Sequence, residues 1–181
     1  MINYIDGSLW YSTDDKIIVH CISADAELGK GFAIQIRDRF PEMRETLLNS
    51  DLEVGQSYIM YDADTKIRVI HMVTKEKYSH KPTRNNFLLA LDSAMRLVKL
   101  SNESAVKMPF IGTGLDMLSP KFIISSLEEY KNIDVDIYIP KLKRKKRVIH
   151  KNYFKTCPTC VQVLRTDSDS ICERCGQKLV H

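Results

Sequence analysis

The apolar positions of this chain alternate between short runs and spaced stripes over its first 140 residues. Lys16–Ile22 ("KIIVHCI") is a β-branched apolar run, the pattern of a buried strand. A polar stretch with Gly29 and Gly31 follows. Phe32, Ile36, Phe40 and Met43 then recur at helical spacing to about Leu48, with Pro41 placed to divide that helix in two. "QSYIMYDADTKIRVIHMVTK" alternates on both sides of Asp62–Thr65 and predicts a hairpin. Thr83 is a suitable N-cap for a helix whose apolar face includes Phe87, Leu88, Leu91, Met95 and Val98. "SAVKMPFIG" predicts a short strand. Ser119-Pro120 supplies a cap and a first-turn proline for "KFIISSLEEYKN", and "VDIYIP" closes the series as a strand. The order strand, helix, hairpin, helix, strand, helix, strand predicts an α/β domain with a mixed central sheet and helices on its faces.

Composition divides the chain at its end. With 181 residues, 44% of them hydrophobic, it has material for one main domain and a small appendage. Residues 1–140 hold 16 Lys+Arg against 20 Asp+Glu, a balance of −4, while residues 141–181 hold 11 against 3, a balance of +8. The boundary is "KLKRKKR", Lys141–Arg147, so we expect a body over 1–140, a basic linker over 141–152 and a small domain over 153–181. No apolar run approaches the ~20 residues that span a membrane, and Met1–Trp10 lacks the basic start and apolar centre of a signal peptide. The expectation is a soluble, cytoplasmic protein that does not contact membranes.

Four of the five cysteines fall in that tail. Cys157, Cys160, Cys172 and Cys175 form C-x2-C-x11-C-x2-C, a spacing in which two tight thiolate pairs hold a tetrahedral Zn2+. Four cysteines leave no open coordination position, so the predicted zinc ribbon is structural. The thiolates and metal together contribute −2, which leaves the tail at about +6. A basic tail favours an anionic partner, DNA or RNA, through "KLKRKKR"; in a nucleated cell the same run reads as a nuclear localisation signal. The other reading of the tail is a protein-interaction knob on a solvated linker. Tyr153 and Phe154 are its only aromatics placed for base stacking.

The body's chemistry gathers in two glycine loops. "HCISADAELGKGFA" leaves a strand and enters a helix through Gly29-Lys30-Gly31. It fits neither the dinucleotide fingerprint, which needs a third small residue where Ile34 stands, nor the P-loop, since Phe32 follows Gly31. What remains is a glycine pair at a helix N-terminus, able to offer backbone N–H groups to a phosphate or serving only as a turn. "MPFIGTGLDML", Met108–Leu118, repeats the arrangement with Gly112-Thr113-Gly114 and ends at Asp116. Two such loops in one domain suit a pyrophosphate gripped from two sides.

These segments, with "VTKEKYSHKPT" between them, resemble the macrodomains that bind ADP-ribose, and most closely the terminal ADP-ribose protein glycohydrolase subgroup. The resemblance covers about residues 1–140. It implies a six-stranded mixed sheet between helices in three layers, and removal of mono-ADP-ribose from an acidic side chain or a nucleic-acid base. In that subgroup a lysine attacks the anomeric carbon of the distal ribose, and an aspartate helps resolve the covalent adduct. By motif these are Lys75 and Asp116. The same transfer assigns ADP-ribose binding to Ser8, Leu9, Ser23, Gly29, Lys30, Gly31, Ile111, Gly112, Thr113, Gly114 and Leu115. Two positions depart from the pattern. "DGSLW" has Ser8 where macrodomains carry an adenine-reading aspartate, with Asp6 as a substitute, and "GKGFAIQ" is more similar to antitoxin macrodomains that act on DNA bases. A module that only reads ADP-ribose is the alternative, although such a module needs neither Lys75 nor Asp116.

The remaining candidates have structural expectations. An attacking lysine must be unprotonated, and Lys77 and Lys81 are the nearby cations in sequence. Cys21 is expected to be a core thiol, His20 and His71 satisfied buried histidines, and His80 part of the turn before Thr83. Trp10 and Tyr11 are expected beside an adenine or over the sheet edge.

Overall fold

The computed structural model describes residues 1–12 and 15–139. The predicted basic linker and zinc ribbon, with Cys157, Cys160, Cys172 and Cys175, lie outside the described residues. The strands are β1 (Ile2–Asp6), β2 (Ile17–Ser23), β3 (Ser57–Asp62), β4 (Ile67–Lys75), β5 (Ala105–Pro109) and β6 (Asp134–Ile139). The helices are α1 (Phe32–Arg39), α2 (Pro41–Leu48), α3 (Arg84–Leu100) and α4 (Pro120–Glu128), with a 3-10 turn at Leu9–Tyr11.

The strands form one sheet in the order β1-β6-β5-β2-β4-β3. Only β3 is antiparallel, paired with β4 through the predicted hairpin; the other neighbours are parallel. Successive β2 residues serve opposite faces, as the two-residue period of a strand requires. Ile17 and Val19 join Ile70, Met72, Phe87, Leu91, Met95, Ile123 and Leu127, which places α3 and α4 on one face. Ile18 joins Ile36, Phe40, Met43 and Val69, and Ile22 joins Leu47 and Val73, which places α1 and α2 on the other. The result is the expected three-layer arrangement.

Local signals act where the pattern placed them. Thr83 accepts from the Asn86 N–H, and Ser119 from the Phe122 N–H. Pro41 opens α2, and Phe40 (φ −131°) ends α1 and caps α2, so the predicted long helix is two. Two expectations change. Leu88 is 42% exposed, because the face of α3 that packs on the sheet runs through Phe87, Ala90, Leu91 and Ala94. The hydrophobic pattern did not predict β1; its residues are mostly exposed, and pairing with β6 makes it a strand. It supplies the sixth strand that the family resemblance implied.

Because β1, β2, β4, β5 and β6 run in one direction, their carboxyl ends share one edge of the sheet. The loops after β1, β2, β4 and β5 meet there, the usual ligand position in open α/β sheets.

Candidate active site

Lys75 is the last residue of β4, and a register shift aims it. Ile22 pairs with Val73, but Ser23 pairs with Lys75, so Thr74 is an extra residue on β4. Such a bulge bends the strand and redirects the side chains beyond it. The two loops that follow are fastened together. Ala24 N–H donates to Lys75 O (2.9 Å) and Asp25 N–H to Glu76 O (3.2 Å). The Asp25 carboxylate accepts from Ser23 Oγ (2.5 Å) and from Tyr78 N–H (2.9 Å). Burial alone would raise the Asp25 carboxyl; hydrogen bonds from Ser23 and backbone N–H groups outweigh it and hold the group below its ordinary value.

The loop after β5 closes on itself. Leu118 N–H donates to Gly112 O (2.9 Å), Met117 N–H to Gly114 O (3.2 Å), and Thr113 Oγ1 to Phe110 O (2.8 Å). This curl turns Asp116 inward, where its Oδ1 accepts from Lys75 Nζ at 2.6 Å. The two side chains are 14% and 13% exposed. Lys81 Nζ donates to Leu115 O and so ties the β4 loop to the β5 loop a second time. The group in contact with Lys75 is thus a carboxylate and not one of the lysines that sequence proximity suggested.

Lys75 and Asp116 border a cavity of about 480 Å3 whose walls also include Lys30, Gly31, Tyr78, Lys81 and the Ile111–Leu115 loop. At one wall α1 begins at Gly31 (φ 63°), which gives it no side-chain cap. Its first-turn N–H groups therefore make an anion-binding end of the kind that suits a phosphate. A second cavity of about 680 Å3 is bordered by Asp6, Gly7, Ser8, Leu9, Tyr11 and Tyr138. Phe32, Gln35 and Pro109 border both, so the two adjoin along one trough.

The predicted binding residues divide accordingly. Lys30, Gly31, Ile111, Gly112, Thr113, Gly114 and Leu115 line the cavity that holds Lys75 and Asp116, and Ser8 and Leu9 line the other. Ser23 and Gly29 line neither. Ser23 is buried and serves Asp25. Of the loop glycines only Gly31 and Gly112 have φ in the left-handed region. A Cβ on Gly29, Gly31 or Gly114 would meet no protein atom, whereas one on Gly112 would lie 3.0 Å from Ile123 Cδ1. Gly112 is thus needed by the fold; Gly114 has open space where a Cβ would stand.

Other residues depart from or refine the sequence reading. Cys21 is only partly buried and borders the cavity floor. Burial pushes its thiol well up, Asp116 adds to this, and Lys75 and the Gly112 N–H oppose it, so it stays a thiol and not a thiolate nucleophile. His20 and His71 are buried and share one N···N hydrogen bond of 2.7 Å. Their other nitrogens, His20 Nδ1 and His71 Nε2, have no hydrogen-bond partner among the described residues, so the pair is only half satisfied there. The His80 N–H closes a turn on Lys77 O, and its side chain borders the cavity. Trp10 stacks on Phe32, and Tyr11 is exposed beside the second cavity. The sequence reading overlooked Phe32, Gln35, Tyr78 and Pro109 as cavity residues. Phe32 and Gln35 stand three apart at the start of α1, a spacing that puts both on one helix face and was the available signal.

No family model matches the chain. Among curated proteins, it is 30% identical over 139 residues to the ADP-ribose glycohydrolase OARD1 of Bos taurus, covering 76% of this chain and 90% of that one. It is 24% identical over 151 residues to the DNA ADP-ribosyl glycohydrolase of Mycobacterium tuberculosis, covering 77% of this chain and 42% of that longer protein. Among solved structures, the macrodomain of Mycobacterium tuberculosis DarG superposes with a TM-score of 0.69 at 22% identity, over 78% of this chain and 99% of that one.

Proposed function

The chain belongs to the macrodomain family that includes the ADP-ribose glycohydrolase OARD1, and on that premise we propose how its cleft performs ADP-ribosyl hydrolysis. Lys75 is the nucleophile and Asp116 its proton partner. The observation that carries this reading is the 2.6 Å contact between Lys75 Nζ and Asp116 Oδ1 on the cavity wall, between two glycine loops. The distal ribose occupies the cavity with Lys75, the pyrophosphate lies against Gly31–Phe32 and Gly112–Gly114, and the adenosine end occupies the trough beside Asp6, Ser8 and Leu9.

Each step follows from that placement. The Lys75 ammonium gives a proton to Asp116, which frees the nitrogen lone pair. Nζ then bonds to the anomeric carbon as the bond from that carbon to the modified group breaks. The departing carboxylate or base leaves with its electron pair and takes up the proton. Asp116 next removes a proton from an incoming water. The water oxygen bonds to the anomeric carbon, the carbon–nitrogen bond to Lys75 breaks, and Nζ is reprotonated. The net reaction adds water and yields free ADP-ribose and the unmodified acceptor.

The acceptor is an acidic side chain or a nucleic-acid base. The base is favoured by Lys30 at the cavity and by the basic tail, whose cysteines we propose to hold one structural Zn2+ on their spacing alone. Release of ADP-ribose from glutamate-linked protein and from base-modified single-stranded DNA, by wild type and by Lys75→Ala, tests the assignment. Lysine-dependent release supports it, and the better substrate identifies the acceptor. Undiminished release by Lys75→Ala removes Lys75 as nucleophile. Binding of ADP-ribose without release from either substrate favours a reader module.

A further inference from the structure

Gln35 takes no part in the chemistry above, yet it borders both cavities. Its carboxamide is held by one bond, in which Trp10 Nε1–H donates to Gln35 Oε1 at 2.5 Å. An indole N–H can only donate, so the carboxamide oxygen must face Trp10 and the amide NH2 must face away from it. Trp10 is itself restrained. Phe32 stacks on its ring at 5.5 Å with the planes 10° apart, and the Arg39 guanidinium lies 4.3 Å from the ring centre. The Trp10 backbone N–H is held by Ser8 Oγ at 3.4 Å. Among the described residues the Gln35 NH2 group has no protein partner. A clamped indole thus fixes a surface carboxamide with its two donors unused, where the two cavities adjoin.

We propose that Gln35 is a specificity-determining binding residue: its NH2 group donates to an acceptor oxygen in the section of ADP-ribose that joins the adenosine to the distal ribose. This rests on the reading that ADP-ribose spans both cavities. A ligand with its adenosine in one cavity and its distal ribose in the other carries its pyrophosphate and adjoining ribose oxygens past the residues that border both. That section offers acceptors, and its phosphates are anionic. A carboxamide donor favours it, and a carboxylate at the same place repels it. Trp10 is then a positioning residue that acts through Gln35.

The test uses the full chain, with ADP-ribose and adenosine as probes in titration calorimetry, and ADP-ribose release for kinetics. Gln35→Glu keeps an acceptor for Trp10 and replaces the donor with a negative charge. It is expected to weaken ADP-ribose binding tenfold or more while adenosine binding changes less than twofold. KM for release should rise in step, with kcat within about threefold. Gln35→Leu is expected to weaken ADP-ribose about fivefold. Trp10→Phe keeps the ring and loses the donor; it should weaken ADP-ribose less, and add nothing to Gln35→Leu in the double variant. Unchanged ADP-ribose affinity in Gln35→Glu, or equal losses for ADP-ribose and adenosine, overturns the role given to Gln35. A wild-type protein that does not bind ADP-ribose overturns the reading beneath it instead.

Discussion

Ser23 is the register partner of Lys75, although an uninterrupted ladder from Ile22 and Val73 would have paired it with Thr74. One extra residue therefore sets where the proposed nucleophile leaves the sheet. Ser23 completes the device by bonding Asp25, which also accepts the Tyr78 N–H. Asp25→Ala should release the segment after Lys75 without disturbing the sheet core. Release of ADP-ribose should fall several-fold while the urea midpoint moves little. Equal losses of activity and stability would mean that Asp25 serves the fold alone.

The two glycines of the second loop should respond differently to one methyl group. At Gly112, φ is +71° and a Cβ would stand 3.0 Å from Ile123 Cδ1 and 3.3 Å from Leu118 Cδ1. Gly112→Ala should cost about 1–3 kcal/mol of stability through strain and overpacking. At Gly114 the added methyl meets no protein atom. Gly114→Ala should therefore unfold like wild type and, since Gly114 borders the cavity, bind ADP-ribose more weakly. Thermal melts with and without ADP-ribose separate the two effects.

The buried histidine pair makes stability depend on acid. Burial holds His20 well below its ordinary value, with His71 adding to this, and burial brings His71 down to about 3. Below about pH 6.5 the unfolded chain takes up protons that the folded chain refuses. Stability is therefore complete above that value and falls as pH drops below it. Urea midpoints at pH 7.5 and 5.5 should differ for wild type and converge for a His20→Val, His71→Val double variant. Removing both partners together avoids leaving one polar ring unpaired. The same pH dependence in both proteins would assign it to other groups.

The tail can be tested apart from the cleft. Elemental analysis of the full chain should find about one Zn2+ per molecule on the four-cysteine reading. A Cys157→Ser, Cys160→Ser variant should lose the metal and still bind ADP-ribose. Metal content unchanged by those substitutions would place the zinc elsewhere, and loss of ADP-ribose binding with the metal would join the tail to the cleft.

Legibility in the sequence follows the range of the physics. The central strands, the Thr83 and Ser119 caps, the Pro41 division and the hairpin were readable because each depends on residues a few positions apart. The two glycine loops, Lys75 and Asp116 were readable as motifs. β1 was not, since Asn3, Tyr4 and Asp6 carry no hydrophobic alternation and only β6 makes them a strand. The bond that holds Gln35 was equally invisible, because its partner Trp10 lies 25 positions away.

The sequence by itself determined an α/β body, its capped helices and the residues of its two glycine loops, all consequences of local pattern. Tertiary structure alone decided that Lys75 meets Asp116 across 41 positions and that Lys81 reaches Leu115. It likewise decided that Ser23 braces a loop and that Phe32, Gln35 and Pro109 border both cavities. A bulge, a curled loop and parallel strands ending at one edge set these distances, and spacing along the chain records none of them.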